Sequence, residues 1–174
     1  AKEVAALVNA KTANTGVTAT AVTKVKLDGL VAAGTLAFSL ENGDDSAAVS
    51  AAITDKSDLR ALKDAINAVA GTTGITAEMD SSSNAGVILT HSEGADIIID
   101  GFTNTVDGDI NFAVLDADGA SIAAALTLDN TTATADALAY GQLDFHSSKA
   151  FTVGAVETDD KEGFLRATSN TASL

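Results

Sequence analysis

The sequence predicts a β-rich α+β fold: two helix–turn–strand modules packed on antiparallel sheets, followed by a mainly antiparallel β lobe. Three observations carry that expectation. Val8-Asn9-Ala10 followed by Thr15-Gly16-Val17-Thr18-Ala19 recurs, at identical internal spacing, as Ile66-Asn67-Ala68 followed by Thr73-Gly74-Ile75-Thr76-Ala77. Such self-similarity marks a repeated supersecondary unit. Leu59, Leu62, Ile66 and Val69 stand at i, i+3, i+7 and i+10, one apolar stripe of a helix. Elsewhere, short runs alternate with period two and break at glycine-bearing turns, as half-buried strands do.

The first helix is expected from Val4, Leu7 and Val8 at i, i+3, i+4. Gly16 follows where the chain must reverse, because glycine takes φ > 0 without a Cβ clash. Residues 17–22 then read as a strand. Residues 34–40 alternate, Asn42-Gly43 supplies a hairpin turn, and residues 47–53 return as the partner strand. Ser57 or Asp58 is placed to cap the second helix, offering an oxygen to its free N–H groups. Gly71 sits where that helix should end, and Gly74 turns the chain into the strand at 75–79. Asn9 and Asn67 lie near the C-terminal ends of their helices, where asparagine is a mediocre helix former. An amide there can bond backbone groups of the following turn and set where the strand begins. Asn9, Gly16, Asn67 and Gly74 are therefore the structural motif.

Residues 86–91 and 95–100 read as strands, and Ser92-Glu93-Gly94 between them suggests a hairpin. Residues 110–115 alternate, turn at Asp116-Ala117-Asp118-Gly119 and continue to Leu128. Leu143 with Phe145, and Phe151 with Val153, mark two further short strands, and residues 163–166 are placed to close the sheet. The expected division is a tandem α/β region at 1–103 and a β-rich region at 104–174. A chain that opens inside a helix, shows no signal peptide and ends in a polar segment at 167–174 reads as a piece of something longer.

Composition narrows the function. The 174 residues carry 24 acidic against 10 basic side chains, a net charge of −14. That argues against nucleic acid, which needs a basic stripe, and against anionic lipid. No window holds the ~18 uninterrupted apolar residues of a membrane span. Without cysteine there is neither a disulfide nor a thiolate zinc site.

The pattern around Asn67, with Gly86-Val87-Ile88-Leu89-Thr90 and Gly94-Ala95-Asp96-Ile97-Ile98-Ile99 after it, resembles the IN motif of bacterial flagellins and hook-associated proteins. The resemblance covers roughly residues 59–100, and residues 4–22 share its helix and turn. It implies a non-catalytic, structural role on the outer, extracellular face of the bacterial flagellum, with other flagellin subunits as partners. Filament assembly in that family belongs to long terminal helices of heptad pattern, which this sequence lacks. The isolated domain is expected to be monomeric. The family also implies O-linked glycans on exposed hydroxyls such as those of Ser81-Ser82-Ser83, Thr131-Thr132 and Ser147-Ser148. Asn130-Thr131-Thr132 is a lone N-glycosylation sequon. The alternatives are the corresponding region of a hook-associated or cap protein, and an adhesin-like extracellular binding domain. The latter would want exposed aromatic platforms, yet Tyr140 is the only aromatic besides six phenylalanines.

Catalytic readings find little support in the spacing. Some flagellins carry a His-Glu-x-x-His peptidase insert, but here the two histidines, His91 and His146, are far apart in sequence. Both are expected at exposed strand ends. The acidic pairs Asp44-Asp45, Asp107/Asp109, Asp116/Asp118 and Asp159-Asp160 fall in expected turns, where aspartate serves the backbone. Asp116-Ala117-Asp118-Gly119 opens like a calcium loop, but its glycine falls at position four and no glutamate closes position twelve. No cofactor is implied.

Overall fold

The computed structural model describes residues 1–129, 131, 135–153 and 170–172. By their contacts they fall into two compact units: Ala1–Lys2 with Thr20–Leu143, and Glu3–Ala19 with Asp144–Leu174. The elements in chain order are α1 (Lys2–Asn9), α2 (Thr12–Thr15), β1 (Val17–Asp28), β2 (Gly34–Glu41), β3 (Ser46–Ile53), α3 (Arg60–Ala68), α4 (Ala70–Thr73), β4 (Ile75–Asp80), β5 (Ser83–His91), β6 (Ile97–Asn104), β7 (Ile110–Leu115), β8 (Leu126–Leu128), β9 (Ala137–Ala139), β10 (Gln142–Ser147), β11 (Phe151–Val153) and β12 (Asn170–Ala172). The protein is β-rich α+β with antiparallel sheets, as the periodicity predicts.

The first unit is built on two sheets. One has the strand order β4-β5-β1-β7-β8 and the other β3-β2-β6-β9. Every pairing with a defined register is antiparallel. Alternation along the strands aims one row of side chains inward: Leu36, Phe38 and Leu40 from β2, Val49, Ala51 and Ile53 from β3, Val87 and Leu89 from β5. These join Leu59, Leu62 and Ile66 in a single apolar cluster. Helix α3 packs on β3 of one sheet and on β4 of the other, so its stripe fills the space that two twisted sheets leave open. The β2–β3 hairpin forms where Asn42-Gly43 predicts it, as a four-residue loop in which Asn42 Oδ1 accepts the Asp44 and Asp45 N–H groups.

β5 and β6 are not a hairpin. β5 pairs with β4 and β1, whereas β6 pairs with β2 and β9 in the other sheet. The residues after His91 therefore carry the chain across the core instead of folding it back. Gly71 does not end the second helix. α3 stops at Ala68, Gly71 lies within α4, and the left-handed glycine is Gly74. The cap position of α3 is Leu59, without a side-chain cap; Asp58 instead accepts the Arg60 N–H at 3.2 Å from one residue earlier. Strand β1 runs to Asp28, well beyond the expected residue 22.

In the second unit, α1 and α2 precede the first residues of β1. Ala5 is the buried residue of α1, and Leu7, expected on the apolar stripe, is 70% exposed. β10 pairs with β1, and β11 pairs with β12. The strand expected at 163–166, the turn at Asp159-Asp160 and most of the polar end at 167–174 lie outside the described residues. No helix among the described residues is long and apolar enough to cross a membrane.

Candidate functional site

The repeated turn is the feature most completely specified by the chain. In the second copy, Asn67 stands one residue before the end of α3 with its amide aimed at β4. Its Nδ2 donates to the Ala77 carbonyl and its Oδ1 accepts the Ala77 N–H, both at 2.8 Å. One side chain thus imitates a strand, satisfying both backbone groups of a residue ten positions later. Asn9 does the same to Ala19, again at 2.8 Å twice.

The likeness extends through the whole turn. Gly74 and Gly16 both adopt φ 68°, and each donates its N–H back to the preceding short helix at 2.8 Å, to Ala70 and Thr12 respectively. Thr73 Oγ1 donates to Val69 O and accepts the Ile75 N–H; Thr15 Oγ1 does so with Lys11 and Val17. Thr76 Oγ1 donates to Thr90 O at 3.3 Å, and Thr18 Oγ1 to His146 O at the same distance. Apart from these two threonine bonds to more distant carbonyls, the module is set by local hydrogen bonds that both sequences encode.

Burial separates the copies. Leu62, Ile66, Thr73 and Ile75 are completely buried, whereas their counterparts Val4, Val8 and Val17 are half-buried and Thr15 is exposed. Asn42 Nδ2 further ties the second turn to β2–β3 through the Thr73 carbonyl, 3.0 Å away.

His91 is not the exposed strand-end residue expected; it is 5% exposed. It continues the inward row Val87-Leu89-His91 of β5, opposite Ile75 on β4 and Thr23 on β1, both fully buried. Its Nδ1 accepts the Glu93 and Ala95 N–H groups, each at 3.3 Å. A Cβ added to Gly74 would stand 2.8 Å from His91 Nε2, so the ring closes directly over the motif glycine. Burial lowers the His91 pKa, with the nearby Lys2 ammonium adding to the effect. The alternation of β5 was the signal for this placement. His146 is on the surface, 3.2 Å from Asp144.

A cleft of about 280 Å³ lies beside the β4–β5 turn, lined by Lys26, Asp28, Asp80, Ser82 and Ser83 among others. Lys26 Nζ bonds Asp28 at 2.9 Å and Asp80 at 3.0 Å. Asp80 is held at about 2, first by the Ser82 backbone N–H and then by Lys26. Asp116, at the calcium-like turn, uses Oδ1 to accept the Ala120 N–H at 2.8 Å, a backbone duty. Among the described residues no three histidine or acidic side chains gather closely enough to hold a metal ion.

Comparison with known families assigns the central stretch. Residues 35–92 match the family model described as the flagellin hook IN motif. That stretch runs from β2 through β3, α3, α4 and β4 to β5, enclosing the Asn67–Ala77 clasp, Gly74 and His91. The chain thus contains a flagellin-type region. No curated protein matches the chain.

Proposed function

We propose that this chain is a structural, non-catalytic, surface-exposed outer domain of a bacterial flagellin, extracellular on the flagellar filament and serving motility. The observation that carries the reading is the match of residues 35–92 to the flagellin hook IN motif, a stretch that takes in β2, β3, α3, α4, β4 and β5. The net charge of −14 supports it, since like charges keep densely displayed domains soluble and neighbouring filaments apart. Its partners are other flagellin subunits, and the 174 residues alone are monomeric. Asn9, Gly16, Asn67 and Gly74 act as the structural motif that joins helix to strand. Exposed hydroxyls such as Ser81 are available to O-linked sugars.

The matched description names the hook, and this favours one second reading, the corresponding region of a hook-associated protein. Immunogold electron microscopy of source cells, with antibody raised against this chain, separates the two. Gold along the filament supports the flagellin reading, and gold confined to filament ends or the hook junction supports the second. Label spread over the envelope, with bare filaments, would overturn both in favour of an adhesin.

A further inference from the structure

The turn at 92–95 is anchored at several points. The Gly94 N–H donates to the His91 carbonyl at 3.1 Å, and the Gly94 carbonyl accepts the Lys2 N–H at 3.1 Å. Glu93 pairs with the Lys2 ammonium at 2.7 Å. The Ala95 carbonyl accepts the Thr23 hydroxyl. At the centre, His91 Nδ1 accepts from both Glu93 and Ala95. Only a neutral ring with its proton on Nε2 can do this, because imidazolium has no acceptor nitrogen.

We propose that His91 is an acid-operated latch: protonation at Nδ1 removes the acceptor on which residues 92–95 close, and loosens the main-chain and ionic holds on Lys2 and Thr23 that depend on that turn. The proposal goes beyond the structural role and does not depend on it. The charged groups facing the ring are Lys2, which opposes protonation, and Glu93 on the turn itself, which favours it. β4 and β1 place Ile75 and Thr23 opposite it, neither titratable. Burial also opposes protonation, so the latch stays closed at neutral pH and opens below the ordinary histidine range. The carboxylates held at about 2, Asp58 and Asp80, titrate in a more acidic window.

The test is amide hydrogen exchange by NMR on the 174-residue chain between pH 7.5 and 4.5, corrected for intrinsic exchange, with the His91 ring titrated in the same samples. Protection of Glu93, Ala95 and Lys2 is expected to fall by up to tenfold per pH unit below the His91 pKa. In His91→Asn, whose Oδ1 keeps an acceptor at the Nδ1 position and does not titrate, that fall should be absent. Unchanged protection across the wild-type His91 titration would overturn the latch, as would an equal fall in His91→Asn. Should that variant not fold, ring nitrogen shifts of the wild type decide. The Nε2–H tautomer at pH 7.5 is required, and the Nδ1–H tautomer would overturn the proposal.

Discussion

Asn67 holds Ala77 by both of its backbone groups, donating to the carbonyl and accepting from the N–H at 2.8 Å each. Ala77 is 4% exposed, so neither group has water as an easy substitute. Asn67→Ala is therefore expected to cost about 2 kcal/mol, the usual penalty for stranding buried backbone groups. Urea denaturation would measure it. Asn67→Asp should also destabilise, because a carboxylate has no hydrogen to give the Ala77 carbonyl. An Asn67→Ala variant as stable as wild type would remove the clasp from the account of this fold.

Gly16 and Gly74 offer an internal control for backbone strain. Both have φ 68°, where alanine costs about 1 kcal/mol relative to glycine. A Cβ at Gly16 meets nothing within 4 Å, whereas one at Gly74 meets His91 Nε2 at 2.8 Å. Gly74→Ala should therefore cost clearly more than Gly16→Ala. In a His91→Ala background the excess should shrink, and a double-mutant cycle would read the coupling.

The two helices differ in how much core they hold. Ile66 is fully buried in the cluster between the sheets, so Ile66→Ala should cost about 3 kcal/mol through lost burial and the cavity left behind. Its counterpart Val8 is only half-buried, and Val8→Ala should cost under about 1 kcal/mol. Thermal melts of the two variants side by side would show whether the repeat shares its geometry without sharing its energetics.

Asp80 supplies an acid dependence whose sign can be worked out. Its folded pKa is about 2, below the ordinary 3.8, because the Ser82 N–H and Lys26 favour the charged form. A depressed acid stabilises the fold above its unfolded pKa, and that contribution fades as pH falls from about 4 towards 2. Asp80→Asn should therefore lower stability at pH 7 and flatten the acid limb between pH 4 and 2. An acid limb with unchanged slope in this variant would rule out Asp80 as a contributor.

The local grammar of this protein is written in its residue pattern. The repeat located Asn9, Gly16, Asn67 and Gly74, because helix end, left-handed turn and strand entry are set by hydrogen bonds within about ten residues. Period two located β2, β3, β5 and β7, and Asn42-Gly43 located the hairpin between the first two, since both signals depend only on neighbouring residues. The central segment's family likeness was legible in the same residues.

Beyond that range, packing sets which strands pair and which faces are buried. Ser92-Glu93-Gly94 has hairpin composition, yet β5 and β6 belong to different sheets, because strand partners are chosen by burying both apolar faces in one core. Gly71 has the chemistry of a helix stop, but the chain makes another helical turn before the glycine that φ 68° requires. Leu7 fits a helical stripe and is exposed, while Leu62 fits the same kind of stripe and is buried. The repeat gives both helices one local geometry, but only α3 lies between β3 and β4, and burial depends on what a face meets as well as on its pattern.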